Sequence, residues 1–343
     1  MAEPAGPVVA VMSPGDMGHA VGWLLRAHGL RVITNLAGRS ARTRALAARA
    51  GIEDVGDDHR LVREADVLLS VLPPAQALPL AERVAAALKA TGTDLLFVEC
   101  NAIAPQTVQR IAATATAAGA QCVDAGIIGG PPRLAGLDRP APPPAPPDPQ
   151  ASGATIVAPA PAAQGRVVGP RFYASGEAAP QFARLRDYGL DVRVIGTAIG
   201  QASGLKMCYA ALTKGLTALA TELLVAAERM GLSAALRAEL EASQRTVLEW
   251  IERSVPGMPP KAYRWVGEME EIAATFGTLG LTPRILEGAA DLYRLVEQTE
   301  LGQETPEART RGTTLEAVVT LLARARSAAP ADAADHRRPE TRP

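Results

Sequence analysis

Aromatic residues make up only 3% of this 343-residue chain. Lysine is scarcer still: Lys89, Lys206, Lys214 and Lys261 are the whole set, and nearly all positive charge is arginine. So few rings leave no surface on which nucleic-acid bases would stack. The formal net charge of -1 gives no global field toward a polyanion or an acidic membrane. Cys100, Cys122 and Cys208 are isolated, with no CxxC pair and no zinc-type spacing, which fits free thiols in a reducing compartment. His19, His28, His59 and His336 are scattered, so no metal site is expected. The start, MAEPAGPVVAVM, lacks a basic n-region, and no apolar stretch reads as long enough to span a membrane. The expectation is a cytoplasmic protein with a small-molecule substrate and neither nucleic-acid nor membrane partners.

What is present is an alternation of two hydrophobic periods. Pro7 to Met12, Arg31 to Asn35, Asp66 to Leu72, Asp94 to Glu99 and Gln121 to Ala125 read as buried strands. Between them, Met17 to His28, Ala41 to Ala50, Ala75 to Ala90 and Pro105 to Ala118 read as helices. Such alternation predicts crossover connections and a mostly parallel, doubly wound sheet. Residues 138–169, with the run PAPPPAPPDPQ, break the rhythm and read as a disordered, solvent-exposed insertion. The α/β pattern resumes with Arg171 to Ser175 and Asp191 to Ile195. Helical patterns follow over Ile199 to Gly231, Leu232 to Ser254, Lys261 to Leu279, Pro283 to Glu297 and Thr313 to Ser327. The expected organisation is an α/β Rossmann domain over 1–196, an all-α substrate and dimerisation domain over 197–328, and a frayed tail over 329–343.

Between the first strand and helix lies Ser13-Pro14-Gly15-Asp16-Met17-Gly18. A dinucleotide turn uses three glycines; the second and third stand here as Gly15 and Gly18, and the first is Ser13. Helix amides opening after Gly15 can still receive a pyrophosphate. At the end of the second strand, Asn35 is followed by Arg39, Ser40 and Arg42, with no acid to hold two ribose hydroxyls. Guanidinium groups there suit a 2′-phosphate, so NADP(H) is expected over NAD(H); a solvated arginine pair at a helix start is the plainer alternative.

These segments resemble the β-hydroxyacid dehydrogenase superfamily, which includes 6-phosphogluconate and 3-hydroxyisobutyrate dehydrogenases. The Gly-x-x-Gly turn with Met17 is similar to its cofactor loop. Leu69 to Pro73 resembles the strand ending that the family lays along the cofactor, which implies Val71, Leu72 and Pro73 as cofactor contacts. Glu99 to Pro105 resembles the loop after its fifth strand, which adds Asn101. Asp124 to Gly130 resembles its substrate loop, with Ile128, Gly129 and Gly130 at the substrate, and Gly200 to Tyr209 its catalytic helix, with Lys206 on the catalytic lysine. The helical half, through Leu205 to Ala210 and Arg264 to Glu271, looks like an uncharacterised branch with a phosphogluconate-dehydrogenase-like domain. Three positions depart: Ile128 replaces a serine, Ala210 an asparagine, and Thr213 the glutamate acid of 6-phosphogluconate dehydrogenase. The last argues against 6-phosphogluconate chemistry. The resemblance also implies a homodimer.

Lys206 sits in GLKMCYAALTKG, and apolar neighbours on all sides predict a buried helix. A lysine in such a place can donate a proton to a carbonyl oxygen as hydride arrives, or accept one in reverse. Tyr209 and Thr213 lie on the same helical face and can contact substrate, while Lys214 falls off that stripe and reads as structural or ion-paired. Arg264 can anchor an anion, with a solvated helix arginine as the alternative, and Glu268, Glu270 and Glu271 read as a solvated or paired face. The expected activity is hydride transfer between NADP(H) and an alcohol/carbonyl substrate of the hydroxyacid type, with Lys206 as general acid/base. The rival readings are imine reduction on the same fold and an NADP-binding module without catalysis.

Overall fold

The computed structural model describes residues 6–134, 167–306 and 308–325. The chain divides into two compact units, Met1–Ala211 with Glu271–Pro283, and Leu212–Glu270 with Arg284–Pro343. The Pro-rich run and the C-terminal tail fall outside the described residues.

The first unit opens with β1 (Val9–Met12), α1 (Asp16–Ala27), β2 (Val32–Thr34) and α2 (Ala41–Ala50). There follow β3 (Glu53–Asp54), α3 (Asp58–Glu64), β4 (Val67–Ser70), α4 (Ala77–Thr91), β5 (Leu96–Glu99), α5 (Pro105–Thr116) and β6 (Gln121–Ile128). Two short strands, β7 (Arg133–Leu134) and β8 (Val167–Val168), pair antiparallel across the Pro-rich run. The pairing brings the ends of that insertion together, so residues 167–168, expected as part of a disordered stretch, are strand. Then come β9 (Arg171–Ser175), α6 (Ala179–Phe182) and β10 (Asp191–Gly196).

Eight of these strands form one sheet in the order β10-β9-β6-β5-β4-β1-β2-β3. Only β6 with β9 is antiparallel. The strands of the middle read as nearly unbroken apolar runs because both faces are covered. One face packs Val9, Val11, Leu69 and Val98 on Val21, Leu24 and Leu25 of α1. The other packs Ala10, Met12, Leu68 and Phe97 on Leu61, Leu80, Val84 and Ile111 of α3, α4 and α5. Strand order reverses between β1 and β4, and a crevice at such a switch point, beyond the carboxyl ends of the strands, is where this class of sheet binds nucleotides.

The helices that follow are α7 (Gln201–Arg229), α8 (Ser233–Ser243), α9 (Arg245–Ser254), α10 (Ala262–Thr278), α11 (Arg284–Glu297) and α12 (Leu315–Arg324). The single helix expected over Leu232 to Ser254 is two, broken at Gln244, whose φ and ψ of -137° and 38° are not helical. Within the second unit, Lys214 pairs with Glu268 in a largely buried contact and lies 5.4 Å from the Trp265 ring. Tyr293 stands edge-on to Trp265 and donates to the Lys214 carbonyl at 2.6 Å.

One expectation is corrected here. Helix α7 is long and apolar enough to span a membrane, which the lysines within it obscured in the sequence. Its apolar stretch is 39% buried: Ala202, Met207, Ala210, Ala218, Ala220 and Ala227 are buried, whereas Leu205, Leu212 and Leu219 are exposed.

The start of α7 lies against β6 at Gly126. A methyl group there would sit 2.7 Å from the Ala202 carbonyl oxygen and 3.0 Å from Lys206 Cβ. Backbone cannot yield as a flexible side chain can, so helix and strand would have to part. Gly126→Ala is therefore expected to destabilise the first unit by about 1–3 kcal/mol, read as a lower urea midpoint by far-UV circular dichroism.

Candidate active site

The glycine turn follows β1. Ser13, in the first glycine's place, takes φ +59°, the one non-glycine residue with positive φ among the described residues. The left-handed region costs an ordinary residue about 1 kcal/mol, and the chain accepts that cost to keep the turn. Gly15 caps α1 with no side chain, so the first amides of the helix have no capping partner from it. A methyl group at Gly15 would meet nothing nearer than the Ser13 carbonyl, 3.8 Å away, so the space above the turn is open. At Gly18 it would meet the same carbonyl at 3.1 Å and Val11 at 3.3 Å, so the helix packs tightly on its strand there. An open, uncapped helix start of this kind fits a pyrophosphate. Pro14 is buried, and Met17 packs on the core below.

Past β2, Asn35 donates to Asp58 at 2.7 Å, and Arg83 of α4 donates to the same carboxylate at 3.0 Å. Ser40 caps α2 by accepting from the Thr43 amide. Arg42 pairs with Asp16, which ties the glycine turn to this segment. Arg39 is half-buried; burial first, and then the nearby Arg83, lower its pKa. Arg83 was not singled out in the sequence, because nothing in a helix pattern shows that it reaches back toward β2.

Beyond β4 and β5 the loops are joined by Asn101. Its side chain donates to Ser70 Oγ at 3.0 Å and accepts from the Leu72 amide at 2.5 Å. Its own amide donates to Glu99 at 2.9 Å. Val71 and Leu72 are half-buried and Pro73 is exposed.

Register places Ser70, Glu99, Asp124 and Ser175 side by side across β4, β5, β6 and β9, all buried. Asp124 accepts from Ser203 Oγ at 2.7 Å, from the Ser203 and Gly200 amides at 3.0 and 2.9 Å, and from Ser175 Oγ at 3.2 Å. Burial raises its pKa while these donors pull it down. Glu99 is completely buried and its Oε2 has no hydrogen-bond partner. Burial pushes it up to about 7, against its hydrogen bonds to Ser70 and Asn101 and with a further push from Asp124.

Lys206 is half-buried and its ammonium donates to the Ile127 carbonyl. The expectation of a helix buried all round is corrected: Leu205, Cys208 and Tyr209 are exposed, whereas Met207 and Ala210 are buried. An apolar run does not say which of its sides meets protein. Ile128 is buried beside Gly129 and Gly130, which are exposed. Gly129 has φ +122° and lies against Pro170, so a side chain there would be strained. Thr213 and Arg264 belong to the second unit, where the Arg264 Nε is buried without a hydrogen-bond partner. Of the three late glutamates, Glu268 pairs with Lys214 and Glu270 with Arg294. Glu271 accepts from the Ala104 amide at 2.7 Å, at the head of α5.

β1, β4, β5 and β6 are parallel neighbours, so the glycine turn, the Leu72 and Asn101 loops and the Ile127 carbonyl all lie at one edge of the sheet. Three strand spacings separate the turn from the lysine's seat, roughly 14 Å laterally.

This geometry meets independent likenesses. Residues 8–135 match the NAD binding domain of 6-phosphogluconate dehydrogenase, and residues 227–296 match a domain of unknown function, DUF1932. A conserved protein of unknown function, described as structurally similar to 3-hydroxyacid dehydrogenases, is 26% identical with a TM-score of 0.55; 85% of this chain and 100% of that one are covered. The 3-hydroxyisobutyrate dehydrogenase of Mycobacterium tuberculosis is 19% identical with a TM-score of 0.60, over 92% and 99%. An Aspergillus terreus reductive aminase, solved with NADPH and ethyl levulinate, has 14% identity and a TM-score of 0.50, over 92% and 98%. An uncharacterised 28.5 kDa protein of Methanothermus fervidus is 25% identical over 203 residues, 59% of this chain and 64% of its own length. The chain thus joins a Rossmann NAD(P)-binding domain to an uncharacterised helical domain, and its fold is close to the 3-hydroxyacid and 6-phosphogluconate dehydrogenases. The likeness to an NAD(P)-dependent oxidoreductase thus lies in the fold and in the nucleotide-binding domain.

The Glu99 shift has a measurable consequence. A carboxyl whose pKa rises on folding holds its proton in the native state after the unfolded chain has lost its own. Stability therefore falls as pH rises from about 4.5 to about 7, and the penalty is complete above that. Glu99→Gln removes this contribution, up to about 3 kcal/mol for a fully buried group. Urea midpoints measured from pH 4.5 to 7.5 are expected to fall less steeply in the variant than in the parent.

Proposed function

We propose that the protein transfers hydride between NADP(H) and an alcohol/carbonyl substrate of the hydroxyacid type, with Lys206 as general acid and base. The observation that carries this reading is the half-buried Lys206 ammonium at the same sheet edge as the glycine turn. The bound nicotinamide would supply or accept the hydride. Lys206 then donates its proton to the oxygen on which negative charge develops, or takes one from the alcohol in reverse. Its seat on the Ile127 carbonyl holds the amine at this edge of the sheet. Gly129 and Gly130 offer exposed backbone beside buried Ile128, and Tyr209 remains a candidate substrate contact within the same unit. Exposed Leu205, Tyr209, Leu212 and Leu219 recur at three-, four- and seven-residue spacing on α7, which supports a homodimer through that helix. Cytoplasmic location agrees with the isolated free thiols.

Imine reduction is the second reading, favoured by buried, apolar Ile128 and Ala210 where the family resemblance has polar groups. A panel of 3-hydroxy acids, their oxo counterparts and cyclic imines separates the two. Lys206→Ala is expected to lower turnover of the best substrate by about 10²–10⁴-fold with NADPH affinity unchanged. A folded variant with full turnover would remove the lysine from the chemistry.

Preference for NADP(H) draws support from Arg39, which is buried enough to disfavour its charge and faces Arg83. A phosphate dianion would relieve both effects. Arg39→Ala and Arg42→Ala are expected to weaken NADPH binding by about tenfold or more, and NADH binding little, by quenching of protein fluorescence. Equal losses for the two nucleotides would defeat the assignment.

A further inference from the structure

We propose that Asp124 is the positioning residue for Lys206: a buried carboxylate on β6 that clamps the first turn of α7 and so fixes where the lysine ammonium stands. This rests on the reading of Lys206 as the proton-transfer group. Asp124 itself touches no reacting atom in that reading and acts only through the helix.

The argument begins with the helix end. The first amides of any helix lack intrahelical partners, and burying them unpaired is costly. Gly200 stands immediately before α7 with φ +106°. The amides of Gly200, Ala202 and Ser203 at the helix start are satisfied from the sheet. Asp124 Oδ2 accepts from the Gly200 and Ser203 amides, and Ser175 Oγ accepts from the Ala202 amide at 3.1 Å. Ser203 Oγ closes the other carboxylate oxygen. A negative group at a helix start also meets the positive end of the helix dipole. Four donors on one carboxylate leave it no freedom to turn, so the helix start has one depth along the strand.

Strand periodicity carries the clamp to the lysine. Residues 124, 126 and 128 share a face of β6. Asp124 fixes the axial position of α7, and Gly126 lets its backbone approach until Ala202 and Lys206 Cβ are in contact. The carbonyl of the intervening Ile127 then receives the ammonium. One short stretch of strand thus supplies the anchor, the clearance and the seat. Lys206 stands three residues beyond Ser203, a single helical turn from the clamp.

The row continues to the cofactor side. Glu99 faces Asp124 in register on β5 and binds the Asn101 amide, and Asn101 binds the Leu72 loop. The ionisable group facing Asp124 from β5 is Glu99, while β9 and α7 present Ser175 and Ser203 to it. The lysine helix and the loops beyond β4 and β5 are therefore registered against one row of buried polar groups.

The test uses the full chain and needs no substrate. Its four lysines make amine labelling resolvable by mass spectrometry, with Lys89, Lys214 and Lys261 as internal references. Asp124→Ala is expected to raise Lys206 labelling relative to those references by about threefold to tenfold and to speed amide exchange over residues 200–206. Asp124→Asn keeps an acceptor for the helix amides and is expected to restore most of the parent behaviour. Should Asp124→Ala not fold, Ser203→Ala removes one donor and shifts the same readouts by a smaller factor. A folded Asp124→Ala with Lys206 labelling and local exchange at parent values overturns the clamp. A uniform rise at all four lysines overturns it too, since that marks general loosening. If labelling responds as expected while Lys206→Ala keeps full turnover, the clamp stands and the catalytic reading falls.

Discussion

The approach of α7 to β6 at Asp124 and Gly126 is the constraint on which the candidate site depends. A 29-residue helix that begins on a sheet edge needs partners for its first amides and room for its backbone. The strand supplies both, because its face toward the helix carries an acid and, two residues later, no side chain at all. Were residue 126 any other amino acid, the helix would sit farther out and the Ile127 carbonyl would no longer lie under the lysine. The two features explain each other: close approach excludes water from Asp124, and only a carboxylate with several donors tolerates that exclusion.

The nucleotide turn shows the opposite economy. Its first position holds Ser13 in a left-handed conformation that glycine would adopt freely. The backbone path is thus kept at some strain, as occurs where surrounding packing over-determines a turn. Here Gly18 packs against the Ser13 carbonyl and Val11, so the helix is already fixed on its strand and the turn must close between fixed ends. The Asp16–Arg42 pair then joins the turn to the segment after β2, so these two segments are linked by a charge pair and not only by packing.

Much of the fold could be read from the sequence because its signals are periodic and local. The apolar runs of β1, β4 and β5, the serine that caps α2, and the proline that opens α5 each announce an element within a few residues. The elements left unread are those with no such signal. β3 is two acidic residues, and α3 (DHRLVRE) buries only Leu61 and Val62, too few to set a period. The antiparallel turn of β9 onto β6 is invisible locally, because a strand does not encode its neighbour's direction. At the candidate site, the glycine turn, Arg39, Arg42 and Lys206 could be singled out in the sequence as residue types. Asp124 was not: it was read only as the first residue of a substrate loop, and its four partners come from residues 51 to 79 positions away. The exposure around Lys206 was misread for the same reason, since an apolar sequence does not show which of its faces is covered.

The row of buried polar groups also orders the ionisation of two neighbouring acids. Asp124 and Glu99 face each other across adjacent strands, so ionising both would place like charges together in a dry setting. Their surroundings are unequal. Asp124 holds four donors and the head of a helix, all of which favour its ionised form. Glu99 has one backbone donor from Asn101 and a serine, with one oxygen unsatisfied. Asp124 therefore ionises before Glu99, whose pKa burial pushes up to about 7, so below that pH the proton stays on Glu99. A neutral Glu99 still accepts from Asn101, so the loops beyond β4 and β5 keep their geometry while the full negative charge is reserved for the helix that carries the lysine. That division lets a single polar row serve two ends of the site without opposing its own electrostatics.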